Sequence, residues 1–161
     1  MTENYKFKPA SEEVLTLYCF VGEAVCAVQH LEDALSHAIA LKHNTPSTKS
    51  EADERLAQNR KHTLGRAIGI LERESLCKEP VLTKLKDFLD ERNWLIHKSI
   101  APGREEWDNL ESRPLLIDRI KAVTTHAQIL LQAIESDLIE FAEANSKDMT
   151  RVKEEIRRHY S

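Results

Sequence analysis

Apolar side chains recur along this chain at alternating steps of three and four, the rhythm of one face of an α-helix. Val14, Leu17, Val21, Ala24, Val28, Leu31, Leu35 and Ala38 carry that rhythm through a first helix expected from about Ser11 to Lys42. Ser11 is placed to cap it, and Glu12 and Glu13 follow where the helix dipole is positive. Such a helix spans roughly 45–50 Å, more than a small bundle needs, and the surplus suggests a partner chain alongside. His43 to Ser50, HNTPSTKS, reads as a polar loop. A second helix is expected from about Glu51 to Leu76, with the stripe Leu56, Leu64, Ile68 and Leu71. Gly65 and Gly69 share one of its faces and would admit a close neighbour. Pro80 suits a helix first turn, so a third helix should run from about Val81 to His97. Lys98 to Glu106, with Pro102 and Gly103, reads as a loop. A fourth helix starts either at Trp107 or at Pro114 and reaches about Ala144, its seam Leu116, Ile120, Val123, Ala127, Leu130, Ile134, Leu138 and Phe141. Met149 to Tyr160 predicts a short fifth helix.

The pattern therefore predicts an all-α protein: a four- to five-helix bundle with long first and fourth helices. Residues 1–161 are expected to form one helical domain, with a short disordered N-terminus over about 1–10 and a helical tail over about 148–161. A chain of this size buries roughly 70 % of its unfolded surface, so it needs no disulfide or structural metal. Cys19, Cys26 and Cys77 are odd in number and lack metal-type spacing, so they are read as buried free thiols in a reducing compartment. No apolar signal core and no apolar run of membrane length is seen, which predicts a cytoplasmic protein without a membrane partner. The formal net charge of −4 argues against a protein that coats nucleic acid. It leaves room for an enzyme that grips a few phosphates.

The third helix breaks its own pattern. Leu82, Leu85, Leu89, Arg92 and Ile96 form one stripe, so a guanidinium stands where an apolar side chain belongs. A charge there must be paired, must reach for solvent, or must face a polar cavity. Beside it runs a polar stripe of Lys86, Asp90, Asn93 and His97. Arg92 and His97 are about 140° apart around the helix, near enough for a long side chain to bend across. A guanidinium, an amide and an imidazole at one mouth would suit a phosphodiester: a fork for the non-bridging oxygens, and a group that transfers protons near neutral pH. The competing reading is an interhelix ion pair for Arg92 and a favourable dipole contact for His97.

Read as a string, Glu91-Arg92-Asn93-Trp94-Leu95-Ile96-His97 resembles the signature of the HEPN superfamily. That signature is Arg, then often a polar residue, a few mostly apolar residues and His, near the end of the third helix of a helical bundle. The order of helices around the motif is similar as well, so the resemblance covers most of the chain. It implies a metal-independent endoribonuclease, without a cofactor, acting as a homodimer with both motifs in one cleft. Arg92 and His97 would then be catalytic and Asn93 supporting. It also implies a toxin or phage-defence role, with an antitoxin or other regulatory protein as partner. One subgroup of such toxins carries a Tyr two residues after the His. Here that position is Ser99, so silencing by nucleotidylation is not expected.

A homodimer also follows from the chemistry. Cleavage through the 2′-OH needs a base for that hydroxyl and an acid for the leaving 5′-oxygen, and two copies of His97 across a twofold axis supply both. The dimer is expected through the third and fourth helices. Lys98 on the third helix, and Arg60, Lys61, His62 and Arg66 on the second, are candidate RNA contacts. Arg151, Lys153, Arg157, Arg158 and His159 in the tail form another basic cluster. Interleaved acidic residues favour a solvated surface for both. Trp94 and Trp107 flank the motif, suited to base stacking or, more simply, to packing. Glu23, His30 and His37 lie too far apart for one metal, and Asp33 with His37 reads as an exposed ion pair. Two further readings stay open: a HEPN-like module that binds RNA, nucleotide or a protein without catalysis, and a helical interaction domain held by an ion-pair network.

Overall fold

Ser11 caps the first helix as its position implies, its hydroxyl oxygen accepting from the Val14 amide at 3.4 Å. The computed structural model describes residues 9–43, 45–100 and 103–160, with side chains to Arg158, and these residues form seven helices. They are α1 (Glu12–Lys42), α2 (Lys49–Asn59), α3 (Leu64–Arg73), α4 (Glu79–Lys98), α5 (Arg104–Asp108), α6 (Arg113–Ala144) and α7 (Thr150–Tyr160). The protein is an all-α bundle in which the expected first and fourth helices, α1 and α6, are long. The N-terminal stretch expected to be disordered lies, up to residue 8, outside the described residues.

Where the second helix was expected to be continuous, there are two. Arg60 caps the end of α2, a turn follows, and Thr63 caps α3, its hydroxyl oxygen accepting from the Arg66 amide. The break has a packing reason. No residue of α2 is buried, whereas α3 buries Leu64, Ala67, Ile68 and Leu71. A turn at 60–63 lets the apolar face of α3 meet the core while polar α2 lies over α1. The end of α3 also comes early, because Ser75 takes a left-handed conformation (φ 52°) and the Leu76 amide donates to the Leu71 carbonyl at 2.9 Å. That is a helix stop without the usual glycine. Gly65 does face another helix, with a Cβ there 3.5 Å from the Leu89 side chain, but Gly69 faces open space.

The directions of the helices follow from their ion pairs. Glu13 pairs with Arg113 near the start of both α1 and α6, and Lys42 with Asp137 near their ends, so these two helices run parallel. Lys78 at the head of α4 pairs with Glu140, and Glu91 with Arg119, so α4 runs antiparallel to α6. The core between α1, α3, α4 and α6 holds Leu31, Leu35, Leu64, Leu71, Leu85, Leu95, Ile120 and Ile134, all almost fully buried. At the exit of α4, Gly103 sits so close to the Ser99 carbonyl oxygen that a Cβ would lie 2.7 Å from it. The chain then turns into α5, which buries Trp107 and replaces part of the expected loop.

Two sequence expectations are corrected. Cys19 and Cys26 are not buried: both face solvent, because the buried side of α1 runs through Ala24, Ala27 and Val28. And α1 does contain an 18-residue window, of mean hydropathy 1.5, long and apolar enough to cross a membrane by length and composition. The stretch was missed because its polar residues interrupt every unbroken apolar run, although it holds few charges. Only 28 % of that window is buried, and Leu15 and Tyr18 stand about half exposed.

Candidate functional site

The buried line of α4 is Leu82, Leu85, Phe88 and Leu95, and the half-buried Leu89 and Arg92 lie along its edge. Ile96, expected at the end of the apolar stripe, is instead 42 % exposed, because Leu95 and the buried Ser99 complete the inner face. Arg92 thus stands at the margin of the core and is paired. Its Nε and Nη2 both donate to Oε1 of Glu32 on α1, at 3.1 and 2.9 Å, and its Nη1 donates to Oδ1 of Asn93 at 3.4 Å. The two ionic side chains are 20 % and 27 % exposed, enough to leave them partly hydrated. The interhelix ion pair that spacing alone offered as one reading is therefore present, and Glu32 is the partner that the sequence could not single out.

Asn93 and His97 come together as their spacing requires. Both are exposed, and both line a groove of about 470 Å³ with Asp90, Glu91, Trp94, Lys98 and Arg119. Arg92 does not line this groove. The cation that does, besides Lys98, is Arg119 of α6. Its Nε and Nη2 donate to the two oxygens of Glu91 at 3.1 and 3.0 Å, and its guanidinium carbon lies 3.8 Å from the centre of the Trp94 ring. Arg119 was missed by sequence reasoning. It sits among the polar positions of an amphipathic helix, and only the antiparallel packing of α6 on α4 brings it beside the motif. Ser99, two residues beyond His97, is buried and donates its hydroxyl to the Leu95 carbonyl at 2.6 Å.

A second groove of about 460 Å³ adjoins along the same α4–α6 face, sharing Glu91 and lined also by Lys84, Asp87, Phe88, His126, Ile129 and Leu130. The expected basic patch is divided. Arg60 pairs with Asp33 of α1 through Nε at 2.6 Å, and Asp33 also meets His37 at 3.4 Å. The hydrogen bond from Arg60 holds the Asp33 carboxyl below its ordinary range. Lys61 lies in the turn and Arg66 on α3, both exposed. His62 lies between them with a buried Nδ1 that has no hydrogen-bond partner among the described residues, and burial, then Arg66, lowers its pKa. In the tail, Arg151 pairs with Glu155 and Lys153 with Glu143. Among the described residues no three His, Cys, Asp or Glu side chains are grouped to hold a metal ion.

No protein-family model, no curated protein and no solved structure matches this chain.

Proposed function

We propose that this chain is a HEPN-type endoribonuclease, metal-independent and homodimeric, that works in the cytoplasm as a toxin or phage-defence effector. The observation that carries the proposal is His97, exposed in an open groove with Asn93, Lys98 and Arg119. An imidazole with no hydrogen-bond partner among the described residues, in a groove that also holds two cations, is equipped to move a proton at a phosphodiester. In this reading His97 of one protomer takes the proton of the 2′-OH, which attacks the adjacent phosphorus. His97 of the other protomer protonates the departing 5′-oxygen. The products are a 2′,3′-cyclic phosphate and a 5′-hydroxyl. Arg92, paired with Glu32 beside the groove, turns from that pair to supply positive charge for the transition state, and Asn93 orients it. The exposed Ile96 and Ile100 beside His97 support a dimer through α4 and α6, since they would be covered there.

The test is cleavage of mixed cellular RNA in excess EDTA by wild type, Arg92→Ala and His97→Ala, with analysis of the end groups. Cutting by wild type alone, leaving cyclic-phosphate ends, is expected. No cutting by any of the three, or equal cutting by all, would discard the nuclease.

One observation favours a second reading. The guanidinium of Arg92 is committed to Glu32 and stays out of the groove. A HEPN-like module that binds RNA, nucleotide or an antitoxin-like protein, without catalysis, would need Arg92 only for that pair.

A further inference from the structure

Arg119 is held by two side chains of α4. Glu91 engages Nε and Nη2 in the guanidinium plane, and Trp94 covers one face of that plane at 3.8 Å. A cation stacked on an indole and clamped in its plane has lost most of its rotational freedom before any ligand arrives. Yet the side chain is 46 % exposed, and Nη1 is unengaged among the described residues. What remains is a flat, preorganised, solvent-facing surface in the same groove as His97.

We infer that the Trp94–Arg119 stack is a seat for one unpaired nucleobase of an RNA chain, stacked on the outer face of the guanidinium and placing the neighbouring sugar at His97. This rests on the nuclease reading for the role of His97, not for the seat itself. Every base offers a π-face, so such a seat accepts single strands and rejects duplexes, whose bases are already stacked. The charges in the groove bear on the source of the affinity. Lys98 and Arg119 stand against Asp90 and Glu91, so there is no excess of positive charge to draw phosphates. Stacking must therefore carry the affinity, and binding should depend only weakly on salt.

The experiment uses the full chain and a fluorescent single-stranded octaribonucleotide with 2′-O-methyl groups, which cannot be cut through its 2′ positions. Its anisotropy is titrated against wild type, Arg119→Ala, Arg119→Lys, Trp94→Leu and Glu91→Gln, with circular dichroism as the folding control. Arg119→Ala and Trp94→Leu should weaken binding from about fivefold to more than a hundredfold. Arg119→Lys should weaken it nearly as much, since it keeps the charge and loses the plane. Glu91→Gln leaves the stack in place and serves if the larger changes unfold the chain. It should weaken binding by loosening the guanidinium. Wild-type affinity in Arg119→Lys, or in both Glu91→Gln and Arg119→Ala, overturns the seat. So does equal binding of a duplex, and adenosine monophosphate bound as tightly as the octamer would assign the site to a free nucleotide instead. The two proposals fail separately. Binding through Arg119 without cleavage of natural RNA removes the nuclease and keeps the seat, whereas cleavage that ignores Arg119 does the reverse.

Discussion

Arg92 donates to two acceptors, Glu32 on α1 and Asn93 next to it, and the contact with Glu32 ties the motif to α1. A single substitution at Arg92 removes the positive charge and strands Glu32, so any loss of activity it brought would have two causes. Glu32→Gln separates them, because it keeps a carbonyl acceptor of the same size and removes only the charge. Both partners are partly exposed, so stability should fall by no more than about 1 kcal/mol, read from urea unfolding. If Arg92 acts on RNA, cleavage should fall about tenfold, since one pair lost to a looser geometry is worth near 1.4 kcal/mol in a barrier. Unchanged cleavage with reduced stability would make the pair a structural tie that plays no part in the reaction.

At the level of elements, the register of α1 on α6 is held from one end by Lys42. Its ammonium pairs with Asp137, donates to the Leu76 carbonyl at 3.1 Å and lies 5.5 Å from the centre of the Phe141 ring. The paired side chains are only 9 % and 14 % exposed. Lys42→Met would leave the Asp137 carboxylate buried with its cation gone, and should cost about 3–5 kcal/mol. Adding Asp137→Leu should recover most of that loss, because it removes the stranded charge and fills the space. A single variant that loses less than about 1 kcal/mol would mean that water reaches the pair. The same element-scale logic explains why the break between α2 and α3 escaped the sequence. Leu56 and Leu64 are compatible with one stripe, but the seven residues between them are all polar except Ala57. Thr63 as a cap was the one local signal. The early stop of α3 had none, since serine at a left-handed position breaks the glycine rule at a cost of roughly 1–2 kcal/mol.

For the whole molecule, two of the exposed apolar surfaces are candidates for the place where copies of the proposed dimer would meet. One is the end of α4, where Ile96 and Ile100 flank His97, and the other is the first half of α1, where Leu15 and Tyr18 are exposed. Only the first brings two His97 side chains together. Sedimentation should therefore find a dimer that Ile96→Glu converts to monomer, with cleavage lost in step, whereas Tyr18→Glu should leave both intact. A dimer broken by Tyr18→Glu and untouched by Ile96→Glu would run through α1 and rule out a composite site. The expectation that α1 is too long for the bundle bears on that alternative, because its parallel run beside α6, another long helix, covers one side of it and leaves the N-terminal half partly bare.

The sequence by itself determined the long helices α1, α4 and α6, because helical periodicity is a local property that each segment displays without its neighbours. It placed Asn93 and His97 on one face, since residues four apart on a helix must share it, and it marked Arg92 as out of place on an apolar stripe. It could not choose between an ion pair and an open site for Arg92, for that depended on Glu32, sixty positions away and brought close only by the crossing of α1 and α4. The tertiary structure decided that crossing, turned Ile96 outward and Leu95 inward, and set Arg119 against Trp94 in the groove of His97. Those are relations between helices, and they depend on how faces pack rather than on any pattern within one of them.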